Sequence, residues 1–436
     1  MRNHHVSRRT VLKAGAGMVT ALGGSGAIVP GTLGAARQNY QGKFTVFSVR
    51  DVENSGPIVD AITAAYPDVE VEWRFATSER FVELFTAAEV AGDQIDLIDL
   101  NGQDLRRYAV GDRLADLSGL DYLDRFRPVG LETYTINDSL WALPWGGIGG
   151  FSFFYNQKLF DQIGATEPPQ TYDDLLAMAP DLKAVGASPF VHNGQVIYLW
   201  PIWQFWAYAQ TTGNRAIENT IATLKGEMKF TDPEHVAALE ILYRFAQDEL
   251  FNESVLSADR DAALLLFTQG KAAFYYTHTG TIGEYERGDF PELDMKLMPP
   301  VSAVADAAVE RQLPGGTGSA LTKYAKIEES RSALADEVME LITRDETVAW
   351  MNEFNGDPVS CNANVVASES PLALSYAETC SPLQITYLDW FWPPEVTRSF
   401  QENQQKLVSG DTNPEDAAAA IQQVLEDLYF DGYEFE

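Results

Sequence analysis

The chain has 436 residues, of which 45% are hydrophobic, so it can bury more than one substantial core and is not a disordered chain. Its 63 acidic residues outnumber 31 Lys and Arg residues, and the formal charge of -32 argues against nucleic acid as a partner. Such a dense carboxylate surface suits a halophilic cell, where salt screens the self-repulsion.

The first 36 residues resemble a twin-arginine export signal. Arg8, Arg9 and Lys13 precede an uncharged run rich in Ala and Gly, and Gly34-Ala35-Ala36 offers small residues for cleavage. The alternative is a membrane anchor, because residues 11–36 are long enough to span a bilayer. The Gly and Ser content makes this segment only weakly apolar, which favours export. We therefore expect an exported, extracellular protein, either released by cleavage or tethered by an uncleaved signal.

After this segment, strands and helices are predicted to alternate. Residues 44–49 and 69–73 have strand patterns, and a helix with a proline in its first turn is predicted over 55–66. Residues 79–91 repeat apolar positions at helical spacing, and 95–100 form a third strand. This βαβαβ order predicts an α/β fold with a mainly parallel sheet covered by helices.

Two loops of this unit are the first candidates for a binding site. Ligands of such sheets lie beyond the carboxyl ends of the strands, and five polar residues follow the first and third predicted strands. They are Arg50, Asp51, Glu53, Asn101 and Gln103. In so acidic a chain, each of these side chains could equally be solvated surface.

A segment rich in Pro, Gly and Trp at 140–147 predicts a boundary between two lobes. Beyond it, helix starts are well marked. Thr171 with Asp174 predicts a capping box, and a proline directly follows both Asp232 and Asn413.

The two cysteines, Cys361 and Cys380, allow two interpretations. In an exported chain they could form one bridge, which would stabilise the fold by roughly 3 kcal/mol on chain-entropy grounds. They could equally be two buried thiols. Neither lies near the end of the signal, so we expect no lipid-modified cysteine there.

Several separated segments carry a family resemblance. They are Gly92-Asp93-Gln94-Ile95-Asp96-Leu97, Tyr155-Asn156-Gln157-Lys158-Leu159-Phe160, Pro168-Pro169-Gln170-Thr171-Tyr172-Asp173-Asp174-Leu175, Phe267-Thr268-Gln269-Gly270-Lys271-Ala272-Ala273-Phe274 and Gly410-Asp411-Thr412-Asn413-Pro414-Glu415-Asp416. In number and order, over most of residues 40 to 430, they resemble the extracellular solute-binding proteins of carbohydrate ABC importers (family 1, maltose-binding-protein-like). Together with the charge, this suggests a haloarchaeal member.

The resemblance implies a two-lobed periplasmic-binding-protein-like fold of type II. Each lobe would hold a mainly parallel sheet with flanking helices, and a multi-segment hinge would join them. The expected first lobe comprises 40–145 plus 312–370, and the second lobe 150–310 plus 372–436. The crossings would lie near 146–150, 311 and 371.

The resemblance also implies that clustered tryptophans face a cleft, where sugar rings would need aromatic faces beside polar groups. The candidates are Trp145, Trp203, Trp390 and Trp392. Trp203 belongs to an i, i+3, i+6 series with Trp200 and Trp206, so it could instead be the buried face of a helix.

Further candidates lie in the second half of the chain. His278 and Thr279 follow the Gly-Lys-Ala-Ala element, where relatives often carry an aromatic side chain, so contacts there cannot be carried over directly. Gly316 and Thr317 lie in a glycine-rich turn that could present backbone N–H groups to a ligand or be only a hinge.

The implied function is an exported, monomeric binding protein that delivers a sugar or oligosaccharide to the permease of an ABC importer. It would need no cofactor or metal and would catalyse no reaction. A binder of ferric ion or another small solute is the main competing hypothesis, because adjacent Tyr275 and Tyr276 resemble the ligands of ferric-binding relatives. A secreted carbohydrate-active enzyme also stays open, since sequence alone does not exclude paired catalytic carboxylates, and so does a surface adhesion or sensor module.

Overall fold

A computed structural model describes residues 40–304, 312–317 and 319–435 of the chain. The predicted export signal and the crossing expected at residue 311 therefore lie outside the described residues. Within these ranges, every helix is too short or too polar to traverse a bilayer.

The described strands and helices follow one another through the whole of these ranges. The strands are β1 Gly42–Ser48, β2 Val69–Phe75, β3 Leu97–Asn101, β4 Thr135–Ile136, β5 Ser139–Leu140, β6 Leu143–Pro144, β7 Gly147–Asn156, β8 Ser188–Val191, β9 Ala272–His278, β10 Met295–Met298, β11 Leu313–Thr317, β12 Ser319–Lys323, β13 Val359–Ser360 and β14 Gln384–Ile385. The α-helices are α1 Val52–Ala65, α2 Ser78–Ala91, α3 Gly102–Val110, α4 Pro128–Glu132, α5 Gln157–Ile163, α6 Tyr172–Ala184, α7 Pro201–Thr211, α8 Ala216–Leu224, α9 Pro233–Gln247, α10 Arg260–Thr268, α11 Gly280–Arg287, α12 Glu329–Ile342, α13 Asp345–Asn355, α14 Pro371–Thr379, α15 Pro394–Ser409 and α16 Pro414–Phe430.

The first sheet has the strand order β2-β1-β3-β12-β6. β1 runs parallel to both β2 and β3, with Val46 opposite Trp73 and Leu97, which confirms the predicted βαβαβ start. β12 runs antiparallel to β3 and β6, so the sheet is mixed. Phe44, Val46 and Leu97 are fully buried, because helices cover both faces of the sheet.

The second sheet has the strand order β14-β11-β7-β9-β8, and β7 is its ten-residue centre. β11, β9 and β10 all run antiparallel to β7, so the expectation of a mainly parallel sheet is wrong for this lobe. The partners of β7 come from distant parts of the chain, and local patterns do not set their direction. Phe153 of β7 stacks on Tyr276 of β9 with ring centroids 4.2 Å apart, at the middle of an aromatic core.

Each sheet has its own apolar core. One core takes residues from 44–148 and 320–365, which we call the first lobe. The other takes residues from 151–313 and 373–425, which we call the second lobe. β11 pairs within the second sheet, so the chain returns to the first lobe at β12, several residues later than the expected 312.

The predicted start of a helix is correct where a capping residue determines it. Thr171 Oγ1 accepts from the N–H of Asp174, whose carboxylate accepts from Thr171 N–H, so the predicted capping box is confirmed. α1 begins at Val52, so Pro57 lies inside the helix rather than in its first turn. The glycine-rich turn predicted near 315–321 forms strands β11 and β12 instead.

Cys361 and Cys380 are both free and buried. Cys361 lies in the core of the first lobe and Cys380 in that of the second lobe. The structure therefore favours the interpretation as two buried thiols.

Candidate functional site

Three adjoining cavities form one cleft: both lobes line two of them, and the second lobe alone lines the third. The arginine chamber, of about 320 Å³, is lined by Arg50, Trp145, Arg260, His278, Arg287 and Asp357, with Glu284, Asn355 and several glycines. The aromatic chamber, of about 300 Å³, is lined by Phe151, Tyr198, Phe205, Tyr387, Asp389 and Trp390, among others. The rim pocket, of about 320 Å³, is lined by Arg106, Glu132, Thr133, Gln384, Trp390 and Phe391, among others. Arg260 and His278 border both chambers, and Trp390 borders both the aromatic chamber and the rim pocket, so the cavities are contiguous.

Asp99 of β3 organises the first-lobe wall of the arginine chamber. Ser48 Oγ donates to its Oδ2 at 2.6 Å, and Trp145 Nε1 donates to its Oδ1 at 3.0 Å. Arg50 Nε lies 3.6 Å from Asp99 Oδ2, and its guanidinium lies 4.8 Å from the centroid of the Trp145 ring. Burial raises the pKa of Asp99, and Arg50, Ser48 and Trp145 oppose that rise. The buried carboxylate thus fixes Arg50 and Trp145 at the chamber.

Asp357 comes from the loop after α13 and lies against the first residue of β7. A Cβ atom added at Gly147 would stand 2.1 Å from Asp357 Cβ, so only glycine fits there. Asn355 Nδ2 donates to Asp357 Oδ2 at 3.2 Å, while burial raises the pKa of Asp357 to about 6. Asp357 is therefore mainly ionised at neutral pH and offers an acceptor to the chamber.

The second-lobe wall carries two arginines and a histidine. Arg260 forms an ion pair with Glu284, whereas Arg287 forms none with the side chains that the structure describes. The N–H of Gly280 donates to His278 Nδ1 at 3.1 Å, which leaves the ring proton on Nε2. Desolvation by the surrounding protein is the main cause that lowers the pKa of His278 to about 4, and the positive charge of Arg260 lowers it further. The side chain is nevertheless exposed to the solvent of the cleft. His278 is therefore a neutral donor at neutral pH.

The aromatic chamber is built by rings in contact with one another. Phe151 lies 5.6 Å from His278 and 6.2 Å from Tyr387, both in edge-on geometry, and Tyr387 lies 5.0 Å from Trp390. Asp389 stands among these rings, and burial raises its pKa to about 7. Its Oδ1 is buried and has no hydrogen-bond partner within the described structure. The chamber thus offers apolar faces and one carboxylate oxygen to a polar, ring-shaped ligand.

Glycines form the floor where β7 and β11 pair. Gly149 lies opposite Gly316 and Gly150 opposite Gly315. A Cβ at Gly150 would stand 2.5 Å from the carbonyl oxygen of Pro314, and Gly316 has a φ of +137°, so side chains are excluded at both positions. The floor of the cleft is therefore bare backbone.

The lobes contact each other beside the cleft, at Trp390 and at α11 among other places. The six-membered ring of Trp390 lies on the backbone of Gly102, where a Cβ would stand 2.4 Å from it. On the side of the arginine chamber, α11 meets the end of α13, and a Cβ at Gly283 would stand 2.6 Å from Gly356 Cα. Such backbone-to-backbone contact means that the lobes are closed at this point.

Five of the residues predicted from sequence line the cleft, namely Arg50, Trp145, His278, Gly316 and Trp390. Asp51 is half-buried beside Arg50 and lines none of the three cavities. Thr279 and Thr317 are buried behind the floor, where Thr279 N–H donates to the carbonyl of Gly150. The side chains of Glu53, Asn101 and Gln103 lie outside the described residues.

The expectation that Trp203 and Trp392 face the ligand is not met. Trp203 is 1% exposed and packs edge-on against Tyr276 in the core of the second lobe. Trp392 is buried and stacks on Phe400 of α15 at 4.1 Å. Both rings lie in the core of the second lobe, where the large apolar area of tryptophan is most stabilising.

Sequence reasoning missed several cleft residues that come from separate elements. They are Arg260 and Arg287 at the ends of α10 and α11, Asp357 after α13, and Tyr198 and Asp389 in two short 3-10 helices of the second lobe. Of these residues, only Asp389 could have been identified from the sequence, because it directly precedes the aromatic residues 390–392.

The adjacent tyrosines that suggested a metal binder do not form a metal site. Tyr276 O–H donates to the carbonyl of Ile202 at 3.2 Å, and Tyr275 O–H donates to Asn193 Oδ1 at 3.4 Å. Among the described residues, no group of three or more His, Cys, Asp or Glu side chains could hold a metal ion. The tyrosines belong to the buried surface of β9.

Comparisons with known proteins agree with this architecture. The sequence pattern of the family described as bacterial extracellular solute-binding protein matches residues 53–349. An ABC transporter extracellular-binding protein from Pyrococcus horikoshii is 21% identical over 57% of this chain, and the match spans only 58% of that protein. A chitin oligosaccharide binding protein superposes with a TM-score of 0.76, at 18% identity, over 88% of this chain and 98% of its own. A maltose-bound protein of T. maritima gives 0.71, at 19% identity, over 89% of this chain and 100% of its own.

Proposed function

Since the chain belongs to the family of bacterial extracellular solute-binding proteins, we propose that it is the substrate-binding component of an ABC importer for a sugar or oligosaccharide. The ligand would lie in the cleft between the lobes and pass unaltered to the permease. The family consists of binding proteins, which supports a role without catalysis.

The observation that carries this proposal is that one contiguous cleft has both aromatic and charged side chains in its walls. A sugar ring has an apolar C–H face and a rim of hydroxyl groups, so it needs aromatic rings beside charged and amide side chains. Tyr387 and Trp390 supply the rings, and Arg50 and Asp389 supply polar contacts. The two superposed proteins are named for chitin oligosaccharide and maltose, which supports the same ligand class.

Binding would work by a shift between open and closed forms. Each lobe has its own core, and β7 continues from the floor of the cleft into the second lobe. A ligand that contacts Arg50 on one lobe and His278 on the other makes its full set of contacts only when the lobes are closed, so it stabilises that form. The proposed lobes are 40–146 with 319–370, and 150–317 with 372–435, and the segments between them form the hinge.

Export and location form part of the proposal. The arginine-containing signal and the extracellular description of the family both support export across the cytoplasmic membrane. We propose a monomer that meets the permease at the cell surface, with a surface charge suited to high salt.

Titration of tryptophan fluorescence with a panel of mono- and oligosaccharides in high salt tests the ligand class, since Trp145 and Trp390 line the cleft. We expect saturable changes for at least one saccharide, together with a smaller radius of gyration in solution scattering. Chromatography of the sugar after incubation should show it unchanged. A flat response to every sugar with a response to ferric iron would refute the proposal, and so would a cleaved sugar.

A further inference from the structure

In the arginine chamber, basic side chains outnumber acidic ones, whereas in the chain as a whole the acidic ones are in excess. The whole sequence has 63 acidic residues against 31 Lys and Arg residues. The chamber lining has three arginines, Arg50, Arg260 and Arg287, against two carboxylates, Glu284 and Asp357. Positive side chains are therefore concentrated in this chamber of the cleft, where Arg287 is exposed to the solvent.

Most of these charges already have partners. Glu284 is engaged by Arg260, and Asp357 accepts from Asn355. Asp99, which lies behind the lining, is engaged by Arg50, Ser48 and Trp145. Arg287 is different, because none of the described acidic side chains forms an ion pair with it. One guanidinium is thus left to pair with a group that the protein does not supply.

The surroundings of Arg287 favour an anion as well. Gly147, Gly149, Gly280 and Gly316 all line the chamber, so backbone can approach a ligand closely there. Guanidinium groups bind carboxylate and sulfate groups through paired hydrogen bonds, which neutral hydroxyl groups cannot match.

The aromatic chamber has the opposite character and adjoins this one. Its walls carry several aromatic rings, and its one acidic side chain is Asp389, whose buried Oδ1 can accept a hydrogen bond from a hydroxyl group and whose ionised form would repel an anion. Arg260 and His278 lie on the border between the two chambers. A ligand that fills both chambers would therefore be neutral at one end and negative at the other.

We propose that the ligand is an acidic saccharide, whose anionic group lies in the arginine chamber beside Arg287 and whose neutral ring lies in the aromatic chamber. This inference rests on the proposed function and narrows its ligand class. The anionic group is a carboxylate, as in a uronic acid residue, or a sulfate ester.

The test uses matched disaccharides that differ at one carbon. One member of each set has the neutral C6 hydroxymethyl group, the second a C6 carboxylate, and the third a C6 sulfate ester. Calorimetric titration of the full exported chain at one fixed salt concentration should show at least one acidic member binding tenfold or more tightly than its neutral counterpart. The stronger of the two acidic arms identifies the anion.

Variants then connect this preference to the arginine. Arg287→Gln should abolish the tenfold preference, and Arg287→Lys should restore part of it. Arg398→Gln removes a guanidinium that is exposed on α15 and paired with Glu402, so it serves as the matched control. Its preference should equal that of the unchanged chain.

The outcomes separate the two proposals. Equal or tighter binding of the neutral members, or an unchanged preference in Arg287→Gln, would overturn the acidic-saccharide inference while the carbohydrate-binding function stands. Absence of binding by every member of every set would refute both.

Discussion

Gly283→Ala tests whether closure of the lobes is needed for binding. The new Cβ would stand 2.6 Å from Gly356 Cα, whereas ordinary contact with carbon begins near 3.4 Å, so the lobes must separate locally by roughly 0.8 Å. A hydrogen bond of about 2.9 Å that spans the cleft would then lengthen to about 3.7 Å and be lost. With two such bonds at roughly 1 kcal/mol each, affinity should fall about 30-fold.

The same substitution should not harm the second lobe itself. Gly283 lies inside α11, where alanine is the better helix former by up to about 1 kcal/mol. We therefore expect unchanged or higher thermal stability together with weaker saccharide binding, measured by calorimetric titration. Gly119→Ala is the control, because no atom lies within 4 Å of the added Cβ at that position. Unchanged affinity in Gly283→Ala would show that the contact between Gly283 and Gly356 is not part of the bound state.

Three further predictions follow from buried and lining side chains. Trp390→Ala should weaken saccharide binding about tenfold with little loss of stability. Trp392→Ala should instead lower the free energy of unfolding by about 3–5 kcal/mol, measured by chemical denaturation. Equal effects of the two substitutions on binding would contradict the assignment of Trp390 to the cleft and Trp392 to the core. Burial lowers the pKa of His192 and of His235 to about 3, so both favour the native state above pH 6.5 and this stabilisation is lost as the pH falls toward 3. His192→Phe should reduce the slope of unfolding free energy against pH in that window by about 1.4 kcal/mol per unit, since His235 remains, and an unchanged slope would argue against the buried neutral ring. The two cysteines should react with a thiol reagent only on unfolding, and the melting temperature should not respond to reductant; a fall on reduction would reveal a bridge.

The sequence predicted the parts of the fold that local patterns determine. The first three strands and the capping box at Thr171 were placed correctly, because periodicity and capping chemistry act over a few residues. The antiparallel partners of β7 were not predicted, because β9, β10 and β11 lie more than a hundred residues further along the chain.

The cleft was predictable only in part for the same reason. Arg50 follows the end of β1, and Trp145 lies directly before a lobe crossing; the topology directs both positions toward a cleft. Arg260, Arg287 and Asp357 come from helix ends and a loop whose meeting depends on how the lobes pack. Trp203 and Trp392 were misplaced because tryptophan is equally suited to a core and to a ligand surface, and composition does not distinguish the two.

The bare backbone of β7 and β11 bears on how this protein can be redesigned. Any residue larger than glycine at 147, 149, 150 or 315 would collide with neighbouring protein atoms, so the floor offers no position at which ligand preference can be altered. Variation in what the cleft accepts must come from its walls, where Tyr198, Asp389 and Arg287 stand on separate elements. Library mutagenesis aimed at new specificities should therefore be confined to those walls, with the glycine strands left as a constant platform.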